Sequence, residues 1–232
     1  MPIPSHIPFR REPRFLVLLA LIFGGLWAFG LLADEVAENE TEAFDTAILL
    51  FFRGDSPDQT IGPRWLRQAA ADITALGGYP VLGLISLIAM GYLLMVGRKD
   101  SALLVLISFL GGTVITQGLK ALFERARPDL VPHIVEVQTL SFPSGHSTLS
   151  AVVYLTLGAL LAAVQPRRRD KAYILACAVT LTLLVGVTRV YLGVHWPTDV
   201  LGGWSVGSAW ALLCWGIADA LNRRARTGPP VA

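Results

Sequence analysis

Residues 143–165, PSGHSTLSAVVYLTLGALLAAVQ, join a short polar motif to a long apolar run, and this combination indicates the architecture of the whole chain. The run at 147–165 is 19 residues long and carries no charged side chain. A helix needs about 20 apolar residues to cross a bilayer, and a backbone in lipid must satisfy its hydrogen bonds within the segment. The run therefore predicts a membrane-spanning helix with Pro143-Ser144-Gly145-His146 at its N-terminus.

Further uncharged apolar runs of similar length occur along the chain. They cover residues 15–33, 73–97, 101–119, 172–188 and 200–218. The first run is longer than the apolar part of a signal peptide, so we expect it to be a retained helix. A composition of 53% hydrophobic and 16% charged residues excludes a disordered chain. We predict an all-α, integral membrane bundle of six transmembrane helices, which forms a single membrane domain over residues 1–232.

The basic residues are distributed unequally between the two sides of the predicted bundle. Twelve of the 19 fall in four segments on one side: Arg10, Arg11 and Arg14; Arg98 and Lys99; Arg167, Arg168, Arg169 and Lys171; Arg223, Arg224 and Arg226. Cytoplasmic loops carry the excess of Lys and Arg. Both ends of the chain, 1–14 and the tail at 222–232, are therefore predicted to be cytoplasmic.

The loop at 34–72 lies on the opposite, outer side and is acidic before it reaches an apolar patch at 47–52. This patch is too short to cross a membrane and predicts an interfacial or re-entrant helix. Such a helix could act as a lid over a substrate site or as a hydrophobic plug, and the residues leave both roles open. The basic residues form only short scattered groups, so no nucleic-acid partner is expected.

Charged and polar residues cluster in three segments at the outer ends of the predicted helices. These segments are 120–128, 142–146 and 188–199. Ionisable residues near membrane depth are expensive and are candidates for function. Each one alone has a simple structural explanation, such as a lysine that snorkels from a helix end. Because all three segments lie on the same side, they predict one common site.

The first two segments have the chemistry of an anion site. Lys120 and Arg127 are seven residues apart, so a continuing helix would place both on one face. A point charge and a planar fork together suit a phosphate oxyanion. Ser144 and Gly145 would present backbone N–H groups at a helix N-terminus, where anions are favoured. His146 would stand in the first helical turn beside that anion.

The third segment adds a nucleophile or base. Asp199 follows His195 by four residues and could accept a hydrogen bond from one imidazole nitrogen, which leaves the other nitrogen free to react. Beside Arg189, this pair is typical of phosphoryl chemistry. A magnesium site would need clustered carboxylates, and this group of residues contains only Asp199, so we expect no metal and no other cofactor.

The motifs Lys120-x6-Arg127-Pro128, Pro143-Ser144-Gly145-His146 and Thr188-Arg189-x5-His195-x3-Asp199 resemble those of the membrane type-2 phosphatidic acid phosphatase (PAP2) superfamily. The resemblance covers roughly residues 70–220, the predicted phosphatase core. The family usually has Ser where this chain has Thr188, and the hydroxyl is retained.

The resemblance implies a role for each residue. His195 would attack phosphorus and form a phosphohistidine, Asp199 would orient it, and His146 would protonate the leaving oxygen and then activate water. Phosphoryl oxygens would be bound by Lys120, Arg127, Ser144, Gly145 and Arg189. No metal takes part in the family's reaction.

The function implied by the resemblance is a lipid phosphatase in a bacterial inner membrane, with its site facing the periplasm or exterior. Its substrate would be a lipid phosphate or lipid pyrophosphate, of the undecaprenyl pyrophosphate, phosphatidylglycerophosphate, phosphatidate or diacylglycerol pyrophosphate class. A lipid phosphotransferase and a non-catalytic lipid-binding membrane protein are the alternatives. Vanadate-dependent haloperoxidases share the anion site but are soluble, and six apolar runs argue against them.

Overall fold

The computed structural model describes residues 13–54, 59–135 and 139–227, and within these ranges the fold is all-helical. The helices are α1 (Pro13–Ala37), α2 (Glu42–Phe51), α3 (Arg64–Ala75), α4 (Tyr79–Met95), α5 (Lys99–Phe123), α6 (Gly145–Ala163), α7 (Arg168–Tyr191) and α8 (Pro197–Thr227). One isolated β-bridge pairs Arg53 with Thr60. The ends of the chain at 1–12 and 228–232, which belong to the predicted cytoplasmic segments, lie outside the described residues.

Five of the described helices, α1, α5, α6, α7 and α8, are long and apolar enough to cross a membrane. They match five of the six apolar runs, and the all-helical membrane architecture predicted from the sequence is confirmed at that level. α6 lies at the centre, where it packs against α5, α7 and α8, while α1 packs against α8. Residues on several sides of α6 are buried, as expected for a central helix.

The apolar run at 73–97 differs from the prediction of one continuous helix. The residues of this run belong to two helices, α3 and α4, which meet at an angle of 48° across residues 76–78. The break has a local cause, because Gly77 and Gly78 are poor helix formers and Pro80 is favoured in a first turn. A Cβ atom on Gly77 would lie 2.3 Å from Val185 and 3.3 Å from the His146 Cβ. The break therefore lets the chain pass close to α6 at His146.

The segment at 34–72, which the sequence predicts to be outer, contains α2, and this helix begins earlier than the apolar patch and includes Asp45. Leu49 is fully buried against Val131, Val190 and Val200, so α2 covers one end of the bundle. On its other side Phe51 is exposed.

Phe142, directly before the Pro-Ser-Gly-His motif, is also fully buried. Its ring stacks on Phe29 of α1 and meets the edge of Phe123 at the end of α5. These aromatic contacts hold the start of α6 next to the ends of α1 and α5.

Candidate active site

The three polar segments meet at one end of the bundle, around a cavity of about 410 Å³. Six of the eight residues singled out in the sequence line it: Lys120, Arg127, Gly145, His146, Arg189 and His195. Each comes from a helix end or a connection: the last turns of α5 and α7, the first turn of α6 and the loops that follow α5 and α7. The other two, Ser144 and Asp199, are fully buried behind the cavity wall.

His195 lies in the short connection between α7 and α8 and is 1% exposed. Its Nδ1 atom is 3.1 Å from Oδ2 of Asp199, in the first turn of α8. A carboxylate accepts hydrogen bonds, so Nδ1 carries the proton and Nε2 carries the lone pair. Burial lowers the pKa of His195 well below 6.5, and the nearby cations Arg189, Arg127 and Lys120 lower it further. The imidazole is therefore neutral at neutral pH and has the form that a nucleophile needs.

Asp199 is fully buried, and both of its carboxylate oxygens have donors. Oδ2 accepts hydrogen bonds from the Ser141 hydroxyl and from the backbone N–H of Trp196 at 2.9 Å, in addition to its contact with His195. Oδ1 accepts a hydrogen bond from Nη1 of Arg125 at 2.7 Å. A buried carboxylate with this set of donors has one fixed orientation.

Three cations face the cavity: Lys120, Arg127 and Arg189. Lys120 Nζ donates to the carbonyl oxygens of Leu140 and, at 3.3 Å, of Ser141. Within the described residues, these three side chains form no ion pair with a carboxylate. Buried charges are normally paired. The cavity therefore has an excess of positive charge that a phosphate group would balance.

The guanidinium groups of Arg127 and Arg189 are held in place by neutral partners. Arg127 donates to the Thr139 carbonyl at 2.6 Å and to the Val194 carbonyl at 2.5 Å, and burial lowers its pKa from 12.5. Arg189 donates to the Thr74 hydroxyl at 3.2 Å, while its Nε is buried without a partner among the described residues. Arg189 thus keeps donor capacity for a phosphoryl oxygen, whereas Arg127, whose nitrogens already contact Thr139, Val194 and His195, would exchange a neutral partner for one.

The route by which Arg127 reaches the cavity differs from the helical extension considered in the sequence. α5 ends at Phe123, and Glu124 has a left-handed backbone with φ of 47°. Arg127 therefore lies in a loop, and its guanidinium group turns back toward His195. The left-handed residue stops the helix one turn earlier than Pro128 would require.

Ser144 and Gly145 occupy the N-terminus of α6, as the motif predicts. The Ser144 hydroxyl accepts a hydrogen bond from the backbone N–H of Ser147 at 3.4 Å and caps the helix. It is not among the residues that line the cavity, so a direct phosphate contact by Ser144 stays a prediction. Gly145 and His146 do line the cavity, and the N-terminus of a helix is a favourable position for an anion.

Sequence reasoning missed several buried polar residues around Asp199. Ser141 is fully buried, and its hydroxyl donates a hydrogen bond to Asp199. Arg125 lies within the first motif, where its charge could not be told apart from a loop charge. Asp45 belongs to the acidic part of the predicted outer loop, and it is fully buried. The available signal was its position one helical turn before Leu49, because a carboxylate on an apolar helix face needs a partner.

Comparison with known proteins agrees with this site. The model of the PAP2 superfamily matches residues 101–223, which include all three motifs. The chain belongs to the PAP2 superfamily. The predicted family, and with it a phosphatase of PAP2 type, is confirmed.

The relatives place the chain among the membrane enzymes of that superfamily. It is 34% identical over 199 residues to phosphatidylglycerophosphatase B of Bacillus subtilis. The alignment covers 84% of this chain and 93% of that protein. It is 35% identical over 144 residues to a lipid A 1-phosphatase of Rhizobium etli, covering 53% of this chain and 56% of that protein.

A crystal structure of a transmembrane PAP2-type phosphatidylglycerolphosphate phosphatase from Bacillus subtilis superposes with a TM-score of 0.80 and 32% identity. The match covers 88% of this chain and 98% of that one. The chain is thus an integral membrane protein with a PAP2 fold.

Proposed function

We propose that this protein hydrolyses a phosphomonoester or pyrophosphate on a lipid, through a phosphohistidine formed on His195. The observation that carries the proposal is the position of His195 Nε2 at a cavity lined by three cations that have no carboxylate partner among the described residues. A neutral imidazole nitrogen beside a cationic phosphate site has the arrangement that nucleophilic phosphoryl transfer needs.

In the first step, Nε2 of His195 attacks phosphorus while the bond from phosphorus to the leaving oxygen breaks. His146, on the cavity wall, donates a proton to that oxygen, which leaves as an alcohol or as a phosphate. Asp199 holds the Nδ1 proton of His195 and stabilises the positive charge that develops on the ring. Lys120, Arg127 and Arg189 bind the phosphoryl oxygens, together with the N–H groups of the α6 N-terminus.

In the second step, His146 takes a proton from a water molecule, which attacks the phosphohistidine. The bond from phosphorus to Nε2 breaks, inorganic phosphate leaves and His195 regains its lone pair. The chain's own cations balance the phosphoryl charge throughout, so we propose that no metal is required. The described residues contain no group of three or more His, Cys, Asp or Glu that could hold a metal ion.

We further propose that the membrane contains six spans, with α3 and α4 forming one bent span, and that the cavity opens at the outer face. The basic segments support this orientation: Arg98 and Lys99 lie at the start of α5 and Arg168 at the start of α7, while the cavity lies at the opposite ends of both helices. A lipid headgroup would reach such a site from the outer leaflet. In a bacterium this corresponds to the periplasmic side of the inner membrane.

The test is release of inorganic phosphate by purified protein in detergent, with EDTA present. The substrates are undecaprenyl pyrophosphate, phosphatidylglycerophosphate and phosphatidate, and the variants are the wild type, His195→Ala and His133→Ala. His133 is an exposed histidine outside the cavity lining and serves as the matched control. We expect release by the wild type and by His133→Ala, and none by His195→Ala.

Unchanged turnover by His195→Ala would exclude it as the nucleophile. Phosphate appearing on an acceptor lipid in place of free phosphate would identify a phosphotransferase, and inactivity on every lipid would favour a binding protein. For the orientation, reporters fused after residue 226 and inserted at 55–58 should read cytoplasmic and external, respectively. The reverse pattern would overturn the proposed orientation.

A further inference from the structure

A chain of three charges, two fully buried carboxylates and a partly buried arginine, connects the outer helix α2 to the carboxylate behind His195. Arg125 lies between two carboxylates, with Nη1 2.7 Å from Oδ1 of Asp199 and Nη2 2.7 Å from Oδ2 of Asp45. Both carboxylates are fully buried. Nη1 of Arg125 also donates to the Thr198 hydroxyl at 2.7 Å, and its Nη2 donates to the Thr41 hydroxyl at 3.0 Å.

We infer that Arg125 and Asp45 are positioning residues for the reaction: Arg125 fixes the orientation of Asp199, and Asp45 holds Arg125 and the start of α8 in place. The inference rests on the proposed function, because it assigns importance to Asp199 through the reaction of His195. It gives the outer helix α2 a defined part in catalysis, in addition to its packing over the end of the bundle.

Arg125 is separate from the phosphate-binding cations. Lys120, Arg127 and Arg189 line the catalytic cavity and pair with no carboxylate in the part of the chain that the structure describes. Arg125 is outside that lining, and both of its terminal nitrogens face carboxylates. A guanidinium group in this arrangement is neutralised by its partners and has no free fork for a phosphate. Its effect on the reaction must therefore pass through Asp199.

Arg125 controls the direction of the Asp199 carboxylate. With Oδ1 held by Arg125, Oδ2 is the oxygen that faces Nδ1 of His195, where Ser141 and the Trp196 N–H also donate to it. Without the guanidinium group, the carboxylate could rotate and the imidazole would lose its fixed tautomer and orientation. A small misalignment of a nucleophile is costly to the rate.

Asp45 extends this control to α2. Its Oδ1 accepts the backbone N–H of Thr198 at 2.9 Å, and its Oδ2 accepts the Thr198 hydroxyl at 2.6 Å. α8 begins at Pro197, so Thr198 has one of the N–H groups that no carbonyl within the helix can satisfy. A carboxylate from another helix thus caps α8 one residue before Asp199 and carries the negative charge that a helix N-terminus favours.

The test compares kcat and KM for phosphate release by Arg125→Gln, Arg125→Lys and Asp45→Asn. Arg125→Gln should lower kcat by about 10- to 100-fold, the usual cost of removing a residue that orients a reacting group. KM should change much less, because the three phosphate-facing cations remain. Arg125→Lys should be partly active, since an ammonium group can still pair with one carboxylate.

Asp45→Asn should lower kcat less than Arg125→Gln, because the amide oxygen can still accept the Thr198 N–H. The double variant should be about as active as Arg125→Gln alone, since both changes act through the same carboxylate. Matched controls are Glu42→Gln, an exposed carboxylate three residues before Asp45 on α2, and Arg64→Gln, an exposed arginine of the outer segment. Both controls should have wild-type kcat.

A second measurement separates positioning from loss of the fold. Inorganic phosphate should raise the apparent unfolding temperature of Arg125→Gln as it does for the wild type, because Lys120, Arg127 and Arg189 are intact. Wild-type kcat in Arg125→Gln, or a rise in KM at constant kcat, would overturn the inference. Loss of phosphate binding with loss of turnover would overturn it as well, in favour of a purely structural role. If instead His195→Ala stays active, the proposed function itself fails, so the two failures are distinguishable.

Discussion

Nη1 of Arg127 lies 3.1 Å from Nε2 of His195, the imidazole nitrogen that faces away from Asp199. The guanidinium group therefore stands next to the atom that we propose attacks phosphorus. Its remaining nitrogens are anchored on Thr139, so it can bind a phosphoryl oxygen without a large movement. An anchored donor at this position would stabilise charge as it develops on the transferring group.

The first prediction concerns the shape of this cation. Arg127→Lys keeps the positive charge but loses the planar fork. Hydrogen bonds to charged groups contribute about 1.5–3 kcal/mol, so kcat/KM for phosphate release should fall roughly 10- to 100-fold. Arg64→Lys, on an exposed arginine of α3, is the matched control and should leave kcat/KM unchanged. Equal values for Arg127→Lys and the wild type would show that charge alone suffices.

The second prediction assigns His146 as the acid for the leaving oxygen. His146→Ala should lower kcat by about 10²–10⁴ on an alkyl phosphate such as phosphatidate. The loss should be much smaller on p-nitrophenyl phosphate, because a nitrophenolate leaves without protonation. Both rates are measured by phosphate release under single-turnover conditions. An equal loss on the two substrates would contradict the role of His146 as the acid in the first step.

Local sequence pattern predicts some features of this fold and not others. Five membrane helices and the start of α6 after Ser144 follow from apolar runs and cap residues close together in the chain. The bend between α3 and α4 was not predicted, because the run at 73–97 has no charge to mark it and the close approach of Gly77 to Val185 is a tertiary contact. A continuous apolar run does not report such contacts.

In the site, too, residues within short motifs can be predicted from the sequence, whereas residues that pair across long sequence distances cannot. The six cavity-lining residues that the sequence analysis singled out stand within three short motifs, so their spacing made them predictable. Asp45 is 80 residues away from Arg125 and 153 residues away from Thr198, and its role depends on pairing that spacing cannot show. Ser141 lies just before the Pro-Ser-Gly-His motif, where a serine fits an ordinary turn equally well.

The third prediction concerns the close packing of α8 on α6. A Cβ atom on Gly207 would lie 2.5 Å from the Thr148 carbonyl oxygen and 3.0 Å from the Ala151 Cβ, and a backbone oxygen cannot move aside easily. Gly207→Ala should therefore lower the apparent unfolding temperature in detergent, since overpacking typically costs about 1–3 kcal/mol. Gly91→Ala on α4 is the control, because no atom of another described element lies within 4 Å of its Cβ position. That control should equal or exceed the wild type.

The fourth prediction concerns the pH dependence of stability. Burial and the nearby cations hold the pKa of His195 well below its ordinary value of 6.5. As the pH falls below 6.5, the unfolded chain binds a proton at this residue and the folded protein does not, so the free energy of unfolding decreases. At pH values well above 6.5 both states are neutral and the residue contributes no pH dependence. Where only the unfolded chain holds the proton, the decrease is about 1.4 kcal/mol per pH unit.

The measurement is the apparent unfolding temperature in detergent at pH 7.5 and at pH 5.5, for the wild type, His195→Asn and His133→Asn. His195→Asn removes the buried imidazole, so its unfolding temperature should fall less than that of the wild type between the two pH values. His133 is exposed, and its variant should show the full wild-type decrease. If His195→Asn loses as much stability as the wild type, protonation of the unfolded chain at His195 is not a source of the acid sensitivity.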